Sequence, residues 1–114
     1  MPRPFPLSTF REAAGLVFVS GQVPIKNGQI AGDDFDAQAR QTLQNLAHAL
    51  WEAGLHETDV IKCNCYLKNA ADISRFNDIY ESFFGAPFPA RTTILAAFPN
   101  PAFLIEIEAI AQRR

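Results

Sequence analysis

The chain has 114 residues, a formal net charge of −2 and 48% hydrophobic residues, which excludes an intrinsically disordered protein. Chains of this length bury roughly 65% of their unfolded surface, enough for one core, so we expect a single domain spanning residues 1–114. Nucleic-acid binders carry a basic stripe, because phosphate contacts supply most of their affinity, and this sequence has no run of Lys or Arg.

The beginning of the chain lacks the pattern of a targeting or membrane-spanning segment. Met1–Pro6 is rich in proline and cannot form the apolar part of a signal peptide, and the first apolar run, Leu16–Val19, is far too short to span a membrane. We therefore expect a soluble cytoplasmic protein with neither a membrane nor a nucleic-acid partner.

The first third of the chain is predicted to form strands. Residues 7–12 are expected to be an edge strand, and Leu16–Val23 is a strand rich in β-branched residues and apolar on both faces. Asn27-Gly28 is a frequent connection of tight hairpins, with Gln29–Ala31 as a short return strand.

The hydrophobic period then changes to steps of three and four residues, which predicts two amphipathic helices. The first runs from Asp34 to Ala53, roughly 30 Å of helix, and the second from about Asp72 to Phe84. The candidate capping residues are Asp33 or Asp34 and Gly54 for the first helix, and Asp72 and Gly85 for the second.

Further strands are predicted at Val60–Leu67, between the helices, and at Arg91–Phe98 and Phe103–Ala111, after them. The resulting order, β-β-β-α-β-α-β-β, describes an α+β domain. Because each helix has one apolar stripe, both are expected to cover the same face of one sheet. On the strand between the helices, one face is expected to hold Ile61, Cys63, Cys65 and Leu67, and the other Lys62, Asn64 and Tyr66.

The two cysteines, Cys63 and Cys65, are expected to be small core thiols. Two positions apart on a strand they share a face, where a disulfide between them would be badly strained. A metal site needs further ligands at a suitable spacing, and His48 and His56 supply neither a Cys-x-x-Cys nor a His-x-x-x-His pattern. We therefore expect no metal.

The face of the sheet away from the helices is expected to mix apolar residues with Arg91, Glu106 and Glu108. Such a face suits neither open solvent nor a dry core. It suits a subunit interface that contains a polar pocket. We therefore expect an oligomer.

Arg91 opens a strand that is otherwise nearly free of charge, and its guanidinium can bind a carboxylate through two parallel hydrogen bonds. The alternatives are a surface arginine or an internal pair with Glu106 or Glu108. These two glutamates are either the solvated face of their strand, or one of them activates water in a pocket, its pKa set by a neighbouring Arg.

Polar residues elsewhere allow both a structural and a functional interpretation. Asn77 lies off the apolar stripe of the second helix and can meet a ligand or solvent. Ser20 is a strand-end hydroxyl, and Gly21 beside it indicates a bulge or a close backbone approach.

From about Gly15 to Arg114, the sequence resembles the RidA/YjgF family. Each matching segment is a weak motif alone, but their order and spacing together are specific. The segments are Val19–Pro24, Ala37–Leu46, Ala53–Leu55, Phe76–Phe84, Phe88–Thr93 and Ile105–Ala111.

The resemblance implies a chorismate-mutase-like α+β fold with a single mixed sheet, assembled as a homotrimer with pockets at its subunit interfaces. It implies a hydrolase that converts reactive 2-imino and enamine acids, such as 2-iminopropanoate and 2-iminobutanoate, to 2-oxo acids and ammonia, without a metal or organic cofactor. By position, Arg91 matches the family's carboxylate-binding arginine, and Glu106 the glutamate that positions and activates water. The implied substrate-binding residues are Arg91, Thr93, Ser20 and Asn77.

Some positions depart from the family's pattern. The pocket tyrosine near the N-terminus falls at Leu7, which removes an aromatic wall or a hydroxyl contact and is expected to change substrate size or preference. The cysteine common two residues after the arginine is Thr93 here, a mild change if this position acts through its backbone. The short loop before Phe88 is expected to reshape the rim of the pocket.

Other functions remain open. A pathway-specific deaminase of the same family, acting on 2-aminomuconate or an aminoacrylate-like compound, would suit the altered wall at Leu7. A non-catalytic module would hold a small carboxylate on Arg91, and bound ligand without turnover would identify it. Ribonuclease activity has also been attached to this family, but the net charge of −2 disfavours it.

Overall fold

The computed structural model describes residues 5–114, and residues 1–4 of the proline-rich N-terminal segment lie outside the described residues. The strands are β1 (Phe10–Ala13), β2 (Leu16–Gln22), β3 (Ile25–Lys26), β4 (Gln29–Ile30), β5 (Val60–Leu67), β6 (Ala90–Leu95) and β7 (Ile105–Gln112). The helices are α1 (Phe35–Glu52) and α2 (Ile73–Phe84). In this part of the chain, no helix is both long and apolar enough to cross a membrane.

Five strands form one mixed sheet in the order β1-β2-β7-β5-β6. β5 and β6 are parallel, since α2 supplies the crossover that a parallel connection needs, and the other neighbours are antiparallel. β3 and β4 form a separate hairpin around Asn27-Gly28. The prediction of a single sheet is wrong at this point. Pro24 has no N–H to donate, so strand pairing stops between β2 and the hairpin.

Both helices pack on one face of the five-stranded sheet, and one apolar core joins them to it, as predicted. Alternate residues of β2, β5 and β7 point into this core, and the residues between them point to the opposite side, which we call the outer face. The buried strand residues are Val17, Val19, Cys63, Cys65, Leu67, Ile105, Ile107, Ala109 and Ala111.

The helix ends follow the predicted capping residues. Asp34 is the N-cap of α1, and its carboxylate accepts a hydrogen bond from the Ala37 N–H at 3.2 Å. Gly54 and Gly85 end the helices with φ of +79° and +65°, in the region that favours glycine. Asp72 occupies the N-cap of α2 as predicted, but its side chain makes no capping hydrogen bond.

β5 follows the predicted alternation except at its start. Cys63 and Cys65 are buried, and burial raises the pKa of their thiols to about 11 and about 12, respectively. Ile61 is 43% exposed, contrary to the prediction. The cause is a shift in register with β7 between Val60 and Lys62, which gives Val60 the buried place.

The last two strands are shorter than predicted. β6 ends at Leu95 and β7 begins at Ile105. The segment between them contains Pro99 and Pro101, which lack the N–H that a strand must donate.

A buried glutamine fixes this segment to the first helix. Gln38 is 1% exposed, and its Nε2 donates to the carbonyl oxygens of Gly32 at 2.9 Å and Ala102 at 3.0 Å. Its Oε1 accepts from the Leu104 N–H at 2.8 Å. The segment directly before β7 is therefore fixed by a side chain of α1.

Candidate functional site

The side chain of Arg91 lies on the helix side of the sheet, at the β6 edge. Arg91 is opposite Cys63 in the β5–β6 register, so both point toward the helices. Its Nε donates to Thr93 Oγ1 at 2.7 Å, and its Nη2 donates to Asn77 Oδ1 at 2.6 Å. The structure thus brings together three of the predicted site residues. The prediction that Arg91 shares the outer face with Glu106 is wrong, because pairing with β5 sets which residues of β6 face the helices.

A cavity of about 320 Å³ adjoins the guanidinium, and we call it the arginine pocket. The guanidinium also contacts two aromatic rings, since Arg91 Cζ lies 4.9 Å from the ring centroid of Phe76 and 4.8 Å from that of Tyr80. An apolar wall strengthens hydrogen bonds made beside it, because it keeps water away. The residues that line the pocket are Asn77, Tyr80, Glu81, Phe88, Pro89 and Arg91.

The guanidinium of Arg91 has N–H donors that make no hydrogen bond within the described residues. Within residues 5–114 no carboxylate pairs with Arg91, so the alternative of an internal pair with Glu106 or Glu108 is wrong for this chain. A guanidinium has five N–H donors; the bonds to Thr93 and Asn77 use two of them, and three remain. Such an arginine beside an apolar pocket can bind a carboxylate through two parallel hydrogen bonds.

Glu106 lies on the outer face, opposite Tyr66 in the β5–β7 register. It borders a second cavity of about 220 Å³, which we call the glutamate pocket. Burial, and after it the charge of Glu108, raises the pKa of Glu106 above its usual range. Within the chain, the neighbour that acts on this carboxyl is therefore a glutamate and not the arginine that we expected. The pocket is lined by Tyr66, Ala96, Ala97, Phe98, Pro99, Glu106 and Glu108.

The two glutamates of β7 differ in their partners. Glu108 accepts a hydrogen bond from the Tyr66 hydroxyl, and this bond is the main reason that the pKa of Tyr66 rises to about 12. Glu106 makes no side-chain hydrogen bond to any other residue of the described chain. Glu106 therefore has both carboxylate oxygens available to hold a water molecule, whereas Glu108 uses one of its oxygens to accept from Tyr66.

The backbone at Gly21 approaches Glu106 closely. A Cβ at Gly21 would lie 2.1 Å from Glu106 Oε2, so a side chain there would displace the carboxylate. The register between β2 and β7 also shifts at this point. Both structural predictions for Gly21, a bulge and a close approach, are confirmed. Ser20 Oγ donates to the Ser8 carbonyl oxygen at 2.6 Å, so its hydroxyl is a structural contact within the chain.

Leu7, the position at which the resemblance implies a pocket tyrosine, is 66% exposed. It borders an open cavity of about 670 Å³ on the outer face, together with Phe18, Ser20 and Glu108. Leu7 and Phe18 are apolar parts of a lining that also includes Ser8 and Arg11, and Leu7 offers no hydroxyl.

The outer face exposes large apolar side chains, with Phe18 at 44% and Ile94 at 50%. Apolar residues around polar groups are typical of subunit interfaces. The predicted site residues thus fall into two groups: Arg91, Thr93 and Asn77 at the arginine pocket, and Ser20 and Glu106 on the outer face. One chain does not bring the two groups together.

Sequence reasoning missed the aromatic contacts of Arg91. Helical spacing places Phe76 and Tyr80 on the buried stripe of the second helix, which is correct, but it does not indicate that their rings also meet a guanidinium. The position of Asn77, directly after Phe76 and beside that stripe, is the feature of the sequence that could have indicated it.

Comparisons with known proteins match nearly the whole length of the chain. The family model described as Endoribonuclease L-PSP matches residues 4–113. The proposed regulator AldR of Lactococcus lactis is 45% identical over 86% of this chain and 79% of its own. The 2-iminobutanoate/2-iminopropanoate deaminase of Salmonella typhimurium is 40% identical over 90% of this chain and 84% of its own. The crystal structure of Escherichia coli TdcF with bound serine has a TM-score of 0.89 at 31% identity, covering 98% of this chain and 91% of that one.

Proposed function

Because the chain belongs to the RidA/YjgF family, we propose that it hydrolyses reactive 2-imino and enamine acids, such as 2-iminopropanoate and 2-iminobutanoate, to 2-oxo acids and ammonia. The observation that carries the proposal is Arg91, whose uncommitted N–H groups adjoin a largely apolar pocket. That arrangement suits a small acid with an apolar side chain. The deaminase named for these substrates, at 40% identity, supports the reaction, and the serine-bound structure of TdcF supports a small carboxylate ligand.

The proposal includes a homotrimer in which each site forms between two chains. Arg91 and Glu106 point to opposite sides of one sheet, so a substrate held by Arg91 needs the glutamate of a neighbouring chain. The apolar outer face, with Phe18 and Ile94, would supply the contact area.

The chemistry requires orientation and a proton carrier. Arg91 binds the carboxylate, which places the imine carbon beside a water molecule held by Glu106. Glu106 takes a proton from this water as its oxygen attacks the carbon, and the C=N π electrons move to nitrogen. Starting from the protonated imine, Glu106 then gives this proton to the nitrogen. The C–N bond breaks as Glu106 takes the proton of the new hydroxyl, whose oxygen becomes the carbonyl, and ammonia leaves with the C–N bonding electrons and then accepts that proton. A protonated imine is already electrophilic, so no step needs a metal or an organic cofactor.

Imine hydrolysis in the presence of semicarbazide tests the proposal. An amino-acid oxidase generates 2-iminopropanoate or 2-iminobutanoate in place, and the protein competes with semicarbazide for the imine. The native protein should suppress semicarbazone formation, and Arg91→Ala should not. Arg75→Ala is the matched control, because Arg75 lies on α2 but pairs with Asp36 at 2.7 Å, so it should stay active. Equal semicarbazone formation with and without the native protein would refute the reaction.

A non-catalytic binding module is the second candidate function, favoured by the likeness to a proposed regulator. It would hold a small carboxylate on Arg91 without chemical change. Calorimetry with 2-oxobutanoate distinguishes the two, since binding by the native protein without imine hydrolysis would assign the module and reject the deaminase.

The apolar side chain of Leu7 favours a preference for particular deaminase substrates. A pathway-specific enzyme, acting on 2-aminomuconate or an aminoacrylate-like compound, should show a kcat/KM that exceeds the values for 2-iminopropanoate and 2-iminobutanoate. Measuring kcat/KM over this set, in the native protein and in Leu7→Tyr, decides whether this side chain sets substrate preference.

The family description names a ribonuclease, and charge argues against that activity here. Several cationic side chains are neutralised, since Arg75, Arg113 and Arg114 pair with Asp36, Glu12 and Asp59. With a net charge of −2, the chain offers little of the phosphate attraction on which RNA binding depends.

A further inference from the structure

The rings of Phe76 and Tyr80 lie one helical turn apart on α2, with centroids 5.5 Å apart and planes at 62°. Arg91 Cζ lies within 5 Å of both centroids, at 4.9 Å and 4.8 Å. This is the range in which a cation is attracted to an aromatic face. Two rings therefore hold one guanidinium, and we call this pair the aromatic cradle.

The cradle and one of the two hydrogen-bond acceptors of Arg91 belong to the same helix. Asn77, next to Phe76, accepts from Arg91 Nη2 at 2.6 Å, and Thr93 accepts from Nε at 2.7 Å. Two aromatic contacts and one hydrogen bond come from a single turn of α2. The three remaining N–H groups of Arg91 thus keep a fixed direction, which lowers the entropy cost of binding a carboxylate.

The rings are themselves held in place. Phe76 is fully buried and Tyr80 is 4% exposed. The ring of Phe35 meets Phe76 edge-on at 6.3 Å, and the ring of Phe84 packs on Tyr80 at 4.7 Å. A cradle of buried aromatic side chains moves little, so it can fix the position of a longer and more flexible arginine.

The hydroxyl of Tyr80 does not explain why this side chain is here. It is buried and makes no well-formed hydrogen bond among the described residues, with the Cys63 thiol, a weak hydrogen-bonding group, as its polar neighbour. Burial and the nearby Cys63 thiol also hold the pKa of Tyr80 above its usual range, so the group stays neutral. The part of Tyr80 that acts on Arg91 is therefore the ring.

We infer that Phe76 and Tyr80 are positioning residues, whose rings aim the free N–H groups of Arg91 and so set the affinity for the substrate's carboxylate. The inference rests on the proposed function for the identity of the carboxylate, but the placement of the guanidinium is independent of it. Of the two residues proposed to act in the reaction, the rings contact Arg91 and not Glu106 of the same chain, so they should act on binding and leave the proton transfers at Glu106 unchanged.

Binding and kinetics of ring variants test this. The variants are Tyr80→Leu and Phe76→Leu, which remove a ring, and Tyr80→Phe, which keeps it. Phe83→Leu is the matched control, because it removes a partly buried ring from the same helix that packs on Phe84 and not on a cradle ring. The measurements are the Kd of 2-oxobutanoate by calorimetry, and KM and kcat for 2-iminobutanoate.

Loss of either cradle ring should raise Kd and KM about three- to thirtyfold, the range of a cation–π contact, with kcat changed less than about twofold. Tyr80→Phe and Phe83→Leu should stay within about twofold of the native Kd. If Tyr80→Leu binds as the native protein does, or if Tyr80→Phe is weakened as much as Tyr80→Leu, the inference is wrong.

A second readout keeps the inference separate from the proposed function. The Arg91 Nε–H resonance in ¹⁵N NMR senses ring currents and restricted rotation without any ligand. Tyr80→Leu should shift and broaden it, and Tyr80→Phe should leave it nearly in place. An unchanged resonance in Tyr80→Leu overturns the cradle. If the resonance responds but the native protein neither binds 2-oxobutanoate nor hydrolyses imines, the proposed function has failed while the placement of the guanidinium stands.

Discussion

Arg91 and Glu106 lie on opposite faces of one sheet, on strands separated by β5. The arginine faces α2, and the glutamate faces the side where no helix of the chain packs. If both act on one substrate, each active site must take one residue from each of two chains. This geometry makes complementation between inactive variants a direct test.

Arg91→Ala and Glu106→Gln should each be inactive alone and should regain activity when unfolded together and refolded as a mixture. Half of the chains then carry the native arginine and half the native glutamate, so random assembly gives roughly a quarter of sites with both. The measurement is imine hydrolysis relative to native protein refolded in the same way.

The control for this experiment is the two variants refolded separately and assayed at once after mixing, which should remain inactive. A co-refolded mixture with no activity, although native mass spectrometry shows mixed oligomers of normal size, would exclude a site shared between chains.

Arg91→Lys should keep the positive charge but lose most of the carboxylate affinity. An ammonium cannot offer two parallel N–H groups or hold Thr93 and Asn77 at the same time. KM for 2-iminobutanoate should rise about ten- to hundredfold, the loss of one charge-assisted hydrogen bond, with a smaller change in kcat. A native KM in Arg91→Lys would mean that charge alone binds the substrate.

The raised pKa of Glu106 predicts how activity depends on pH. A general base must be ionised, so kcat/KM should fall as the pH drops through a value above the ordinary range of a glutamate. Glu106→Gln should lose most activity together with this acidic limb. Retention of the limb in Glu106→Gln would assign it to another group.

The same shift predicts a pH-dependent effect on stability. Because the folded-state pKa of Glu106 lies above its unfolded value, stability from this group is fully present below the unfolded pKa and is lost as the pH rises through the folded pKa. Glu106→Gln should therefore raise Tm at pH 7 to 8, and the gain should disappear below the usual pKa of a glutamate. A gain that does not vary with pH would contradict the ionisation argument.

Gly21→Ala should reduce activity through Glu106, since the added Cβ would lie 2.1 Å from Glu106 Oε2. The carboxylate must move, so kcat should fall at least about tenfold, while binding of 2-oxobutanoate through Arg91 changes little. The matched test is a double-mutant cycle in which the stability cost of Gly21→Ala should shrink in a Glu106→Ala background. An equal cost in both backgrounds would place the strain elsewhere.

Local chemistry made much of the fold predictable from the sequence. The carboxylate at Asp34 and the glycines after each helix mark helix ends through short-range hydrogen bonds and φ, which depend on neighbouring residues alone. The alternating strand pattern did not predict which side chains are buried at positions where pairing with a neighbouring strand decides it. Ile61 faces outward because of a bulge against β7, and a bulge depends on a partner strand far away in the sequence.

In the candidate site, too, local sequence features were predictable and contacts between distant segments were not. Arg91 stands out because a charge opens an apolar strand, but its side of the sheet follows from its register with Cys63. Its aromatic neighbours belong to a helix whose stripe explains them already as core residues. Sequence patterns therefore indicate which residues are unusual, whereas the contacts that give them a role depend on packing between distant segments.

Gln38 has a consequence for local motion. Its side chain bonds the backbone at Gly32, Ala102 and Leu104, three points that no regular element connects. Opening of the segment before β7 then requires these bonds to break, so the amide hydrogen of Leu104 should exchange with solvent on the timescale of α1 rather than that of a loop. We therefore expect the start of the strand that carries Glu106 to open as slowly as the helix itself.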